Sequence, residues 1–590
     1  MSSSDNTTAT GGQIIAKMLK AEGVDKFFGI VDGTYLQLFA HCVEEGLEMI
    51  TPRHEAVAAH MAGAYARLSG KLGVCIASNG PGVANMLAGV AVENVEGNRV
   101  LLITSARRTG IAYPDRGGAY QCFDHVGVIR PMAKWSATCA QAERIPELLR
   151  TALRKCYQGR PGVVHLDVPE NLINGACPAV PILSPARYRN VHPLAPVPEL
   201  VNRAADILAA ARLPMIHAGS GIIHAGAFAA LREMAELLHA PVTTSWAGRG
   251  VLDERHELAW PMVHIEANNA LRNSADVCLC LGSDLGETDW WGKAPYWAKS
   301  GDQTFIQVDI DEERLARNRP NDLAILADVG LFLQMLTDAL RERSGAMDLA
   351  AREARVAELA DPIAKDRATL DQMLALPAEP MISCHVPHIC RQVFADDAVV
   401  VFDGGNTAVW GNFYTAILTP NTQLSTPHMG HLGAGVGQAL GAAAARPDKQ
   451  VYCLIGDGAM GFNMQEIETA VRHNYKVIFL VLADKAWGMV KINQMFALEP
   501  VKEMFATALG ADRTGTINTE LGEIAWDRLA ESMGAFGARA DSPETLRAAL
   551  DQALAADRCA VIHCQVNPEA HMMAPGLVHF KAMHQEPAGE

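Results

Sequence analysis

Val451-Tyr-Cys-Leu-Ile455 runs straight into Gly456-Asp457-Gly458, and Val477-Ile-Phe-Leu-Val-Leu482 runs into Ala483-Asp484. Continuous apolar runs this short, closed by turn residues, read as strands buried on both faces. Between them, residues 464–473 carry apolar side chains at helical spacing. Strand, helix and strand make one β-α-β unit, which delivers two carboxylates, Asp457 and Asp484, to the same edge of a parallel sheet. That edge is where open α/β sheets bind ligands. Glycines on both sides of Asp457 let a ligand come close to the main chain. Two hard oxygen donors beside a helix N-terminus suit a magnesium ion that holds a diphosphate.

The same alternation fills the chain. Residues 11–183 hold candidate strands at Val24–Ile30, Gly73–Ala77, Val100–Thr104 and Val163–Val168. A linker around Pro185 to Pro198 leads to a second block, 199–345, with strands at Pro214–Gly219, Val277–Leu281 and Phe305–Asp309. A charged helical stretch, roughly 348–372, precedes a third block, 380–570, which opens at Val399–Asp403 and closes near His563–Val566. This pattern predicts an α/β protein of three doubly wound parallel-sheet domains, with the first and third of the same class. Residues 1–10 read as a flexible tail, since they lack the basic and apolar regions of a signal peptide. Residues 571–590 read as a C-terminal tail or lid.

Of 590 residues, 49% are hydrophobic and 20% charged, the balance of a soluble globular protein. The net charge of −16 argues against nucleic acid or an anionic membrane as the main partner. No apolar run approaches the roughly 18 residues that a membrane helix needs. Thirteen cysteines without a C-x-x-C pair point to a reduced, cytoplasmic compartment.

From Gly456-Asp457-Gly458 to Ala483-Asp484 the spacing and flanks resemble the thiamine-diphosphate (ThDP) motif, which runs from Gly-Asp-Gly to Asn-Asn. The resemblance implies that Asp457 and Asp484 are metal ligands, with the main-chain carbonyl of Ala486 as the third. Asp484 stands where the family carries Asn, and brings an added negative charge. Gly404, Gly405, Asn406 and Thr407, together with Gly458, Ala459 and Met460, match the main-chain cradle of the diphosphate. Within the segment 428–435, Gly430 would offer its carbonyl to the pyrimidine amine. Leu432, where this branch usually has Met, would wedge the cofactor into its bent form; ordinary core packing is the other reading of Leu432. Met489 completes the cofactor set.

In the first block, RHEAVAAHMAGAYARLSGKLGV (53–74) closely resembles the catalytic-Glu segment of the acetolactate synthase and benzaldehyde lyase branch. The match implies that Glu55 bonds the pyrimidine ring and so promotes deprotonation of the cofactor's reactive carbon. The alternative is a helix N-terminal acid favoured by the dipole. Pro81 and Asn85 belong to a segment like the family's Ser-Gly-Pro-Gly turn, which lies against the pyrimidine. Gln121 matches the Gln that reaches the substrate.

The departures bear on specificity. Asn493 stands where acetolactate synthases carry a pocket Trp, and Trp487 follows the metal loop. In the substrate loop (Val31, Asp32, Gly33), Asp32 replaces a small residue; it is either an acid-base group or a loop Asp making an Asx turn. Gly282–Thr288 replaces the Arg-rich loop that holds FAD, so FAD is expected to be absent. Residues 497–525 look like an insertion. The resemblance implies a ThDP- and Mg²⁺-dependent carboligase, or a lyase or decarboxylase, acting on small carbonyl compounds. It also implies a homodimer or homotetramer with active sites at the subunit interface.

Overall fold

The structure, a computed structural model, describes residues 8–112, 116–377, 379–497, 516–577, 579 and 587. Three six-stranded sheets follow one another along the chain, and every strand pair within them is parallel. The expectation of three doubly wound α/β domains is met.

In the first sheet the spatial order is Glu48–Ile50, Lys26–Gly29, Gly73–Ala77, Val100–Ala106, Val163–Pro169, Trp135–Thr138. The third repeats this topology with Gln423–Leu424, Val399–Asp403, Val451–Gly456, Val477–Ala483, Ala560–Gln565, Phe536–Ala540. In each, the chain reverses its winding direction between the second and third strands of that order, and a crevice opens there. In the first sheet this switch point lies under the turns that carry Asp32 and Pro81. In the third it lies under the turns that carry Gly404 and Asp457. The central sheet instead runs Ala259–Trp260, Val242–Thr244, Pro214–Ala218, Val277–Leu281, Thr304–Asp309, Leu323–Leu326, the order of a dinucleotide-binding fold.

The tail expected over 1–10 ends early. Thr8–Thr10 form a strand antiparallel to Ala176–Pro178, and pairing satisfies main-chain groups that a free tail would leave to water. Residues 498–515 of the expected insertion, and most of 578–590, lie outside the described residues.

The first and third domains share one apolar core. Helix Glu55–Ser69 has thirteen of its fifteen residues buried, so it is enclosed on all sides and not amphipathic. It packs on helix Ala434–Ala445, composed mostly of Gly and Ala. A Cβ on Gly437 would lie 2.7 Å from that of His60, and one on Gly441 2.4 Å from the Met61 carbonyl. Small residues are therefore what let the two backbones touch. Helix Leu349–Leu374 follows the central domain, and its Arg352 is buried. That guanidinium donates to the carbonyls of Leu208, Ala209, Ala211 and Leu238, the open C-terminal ends of two helices.

Candidate active site

Asp457 and Asp484 end neighbouring strands in register, Gly456 opposite Leu482. Asp457 Oδ1 accepts from the Gly458 N–H (2.8 Å) and Oδ2 from the Lys485 N–H (2.8 Å). Asp484 is 7% exposed, and its buried Oδ2 has no hydrogen-bond partner among the described residues. Burial first, then the Asp457 charge, push the Asp484 carboxyl up to about 7; burial raises Asp457 as well. Both polar atoms of the Asn406 side chain are also buried without partners among the described residues. A Cβ on Gly488 would sit 2.8 Å from Asn406 Nδ2 and 2.9 Å from Asp484 Oδ2, so the two side chains face one space.

Orphaned hard donors around one point fit a divalent cation. Among the described residues there is no cluster of three His, Cys, Asp or Glu side chains that could hold a metal. A cation here would therefore rest on the two carboxylates, a main-chain oxygen and its anionic ligand. Ala486 bridges to Glu520, with Trp487 N–H donating to Thr519 O and Leu521 N–H to Lys485 O. That pattern turns the carbonyl of Ala486 itself away from the 519–521 segment.

The cradle is built of turns. Gly404 has φ +97° and precedes helix Gly405–Tyr414, whose first amides are open to an anion. Behind it, buried Asp403 accepts from the N–H groups of Gly404 (2.6 Å) and Gly435 (2.7 Å), tying the cradle to the 430–435 loop. Met489 packs by Gly405 and the Trp487 ring by Gly458, where added Cβ atoms would meet them at 3.1 and 2.7 Å. Leu432 packs against the core shared by both domains.

The other half lies in the first domain. Glu55 opens its helix and is nearly buried; Asn85 Nδ2 donates to its Oε2 (3.0 Å). A Cβ on Gly82 would stand 3.5 Å from Glu55 Oε1. Gln121 is held beside this turn by Asn79 Nδ2, which donates to its carbonyl (2.9 Å). Asp32 Oδ1 accepts from the N–H (2.8 Å) and Oγ1 (2.6 Å) of Thr34, which is the Asx turn expected as the plainer alternative. Ser105 Oγ joins the loops: it accepts from the Asn79 N–H (2.9 Å) and meets Thr34 Oγ1 at 2.6 Å.

Glu55 makes its hydrogen bond within the first domain, and Asp457 makes its bonds within the third. Val31, Pro81 and Asn85 on one side, and Met429, Phe462 and Val490 on the other, are exposed. Sequence reasoning missed Asp403, Ser105 and His571, whose Nε2 lies 4.0 Å from Asp484 Oδ2. Only their meeting in space marks them.

Two matched doubly wound domains, one with a Glu opening a buried helix and one with paired carboxylates beside open helix amides, point to an enzyme fold built around an anionic cofactor. Family models agree: the N-terminal TPP-binding domain of thiamine pyrophosphate enzymes matches residues 9–128, the central domain 201–336 and the C-terminal TPP-binding domain 403–564. The chain belongs to the thiamine pyrophosphate enzyme family, in its acetolactate synthase branch. It is 28% identical to a probable acetolactate synthase large subunit of Methanococcus aeolicus, over 96% of this chain and 94% of that one. It is 28% identical to the acetolactate synthase isozyme 3 large subunit of Escherichia coli K12, over 82% and 83%. It is 29% identical to the acetolactate synthase large subunit of Parasynechococcus marenigrum, over 82% and 78%. No helix among the described residues is long and apolar enough to cross a membrane.

Proposed function

We propose that the chain is a Mg²⁺-requiring ThDP enzyme that forms or cleaves a C–C bond beside a carbonyl, on 2-keto acids or 2-hydroxy carbonyl compounds, as an acetolactate synthase-like carboligase. The observation that carries this reading is the pair of buried carboxylates, Asp457 and Asp484, beside open helix amides at the switch point. Asp457, Asp484 and the Ala486 carbonyl would hold Mg²⁺. Gly404 to Thr407, with Gly458, Ala459 and Met460, would hold the diphosphate. Gly430, Leu432 and Met489 would seat the rings. When bound, ThDP would supply a nucleophilic carbon and a cationic ring that stabilises negative charge on a former carbonyl carbon. Glu55 would hold the proton at the pyrimidine, with Asn85 fixing its carboxylate. Pro81 would close the ring pocket, and Gln121, Trp487 and the 31–33 loop would orient the substrate.

Exposed apolar residues beside each half of the site, Val31 on the first domain and Met429, Phe462 and Val490 on the third, support a homodimer or dimer of dimers in which each site joins two subunits. Replacement of the pocket Trp by Asn493 leaves lyase or decarboxylase chemistry as the second reading. FAD is expected to be absent, and an absorption spectrum of the purified protein checks this. Turnover with ThDP and Mg²⁺ on a panel of 2-keto acids, acyloins and 2-hydroxyacyl thioesters tests the proposal. Glu55→Gln at full turnover would overturn it.

A further inference from the structure

We infer that His125 and Asp167 are positioning residues that lock the Gln121 loop onto the Asn79-Gly80 turn. The inference rests on the reading above, in which Gln121 faces the substrate.

Thr104 and Asp167 are register partners on neighbouring strands of the first sheet. Thr104 Oγ1 donates to Asp167 Oδ1 (2.6 Å), and His125 Nδ1 lies 3.0 Å from the same oxygen. The Gly80 N–H donates to His125 Nε2 (3.2 Å). A main-chain N–H can only donate, so Nε2 is the bare nitrogen, and Nδ1 carries the ring proton and gives it to Asp167. Upstream, Thr104 has one O–H and gives it to the carboxylate. It must therefore receive from His165 Nε2 (2.7 Å), which leaves His165 Nδ1 to accept from Ser136 Oγ (2.7 Å). Burial holds His165 down to about 4, so it is neutral, as that pattern requires. Every hydrogen bond from Ser136 to Gly80 thus has a determined direction, and the whole path is buried or nearly so.

The path ends under Gln121. Gly80 has φ +68°, and a Cβ there would lie 2.8 Å from the Cα and Cβ of Gln121. Gln121 itself has φ +53°. A side-chain-bearing residue keeps that conformation only where its surroundings impose it. Asn79 holds the Gln121 carbonyl, and the Phe123 and His125 rings pack in a T shape with centroids 4.7 Å apart. His125 therefore grips the loop at Phe123 and the turn at Gly80. It is only 4% exposed, and both ring nitrogens are engaged, so it acts through Gln121 and not on substrate.

The test compares His125→Leu, Gln121→Ala and the double variant in the ThDP- and Mg²⁺-loaded protein. Each single change should lower kcat/KM about tenfold or more, with the double within about threefold of the weaker single, because both remove one arrangement. Multiplied losses, or His125→Leu within about twofold of the parent, overturn the proposal. Asp167→Asn presents an oxygen where Asp167 Oδ1 accepts both bonds, so it should keep about half the activity or more. Asp167→Ala should fall to the level of His125→Leu; equal loss in both Asp167 variants overturns the role, whether or not His125→Leu folds. Hydrogen exchange of the metal-free chain, read on the peptide containing Gly80, needs no substrate. His125→Leu should speed exchange there about tenfold, and unchanged protection overturns the geometry even if no substrate for the enzyme is found.

Discussion

The Asp457–Asp484 pair predicts a proton that leaves when cation and cofactor bind. Burial and the Asp457 charge raise the Asp484 carboxyl from 3.8 to about 7, and burial moves Asp457 the same way. A carboxylate pair raised in this way holds a proton below about pH 7, and on the proposed reading a divalent cation would take its place. At about pH 6.5 a group titrating near 7 is roughly three-quarters protonated, so loading the parent should release ~0.7 proton more than loading Asp484→Asn. By about pH 8.5 that difference should vanish. Calorimetry of Mg²⁺–ThDP binding in buffers of different ionisation enthalpy measures the release, and protons from the diphosphate cancel between the two proteins. The shift also has a sign for stability. The folded-state pKa lies above the unfolded one, so the contribution is fully present below about pH 4 and is lost as pH rises through about 7. Roughly three units at ~1.4 kcal/mol each gives at most about 4 kcal/mol. In chelator, the parent should melt lower at about pH 8.5 than at about pH 6, and Asp484→Asn should flatten that fall. Equal proton release from the two proteins would refute the paired-carboxylate reasoning.

Glu55→Gln should cut turnover by about 10²-fold or more while ThDP affinity by calorimetry stays within a few-fold, since Gln keeps the shape and loses the proton site. Mixing and reassembling Glu55→Gln chains with Asp457→Ala chains, each inactive alone, should restore about a quarter of parental activity if each site joins two subunits; no recovery places both halves in one chain. Gly441→Val forces side-chain atoms into the Met61 carbonyl and should destabilise the joint core by about 2 kcal/mol or more in denaturant titration. Arg352→Leu leaves the helix-end carbonyls of Leu208, Ala209, Ala211 and Leu238 without their buried donor and should cost about 3 kcal/mol, read the same way.

Much of the architecture was legible in the sequence. The interior strands Gly73–Ala77, Val277–Leu281 and Val451–Gly456 are buried on both faces, so their composition is a continuous apolar run. The strands that escaped notice, such as Glu48–Ile50, Trp135–Thr138 and Gln423–Leu424, lie at sheet edges, where shortness or partial exposure blurs the pattern. Asp457, Asp484 and Glu55 were visible because each sits at a strand end or helix start fixed by local sequence.

Their supporting groups were not visible. Thr104, His125, Asp167 and Gly80 come from four separate segments and become one hydrogen-bonded path only when the sheet aligns them. Likewise, Asp32 reads equally well as an acid or a turn former until Thr34 is seen to occupy its Oδ1. The chain by itself determined which groups stand at the ends of which elements, because periodicity and turn chemistry are local. Which buried polar groups find partners among the described residues, and which do not, was decided by packing between distant segments. The charge at Asp484 took its meaning only there: burial beside Asp457 makes it half of a titrating pair.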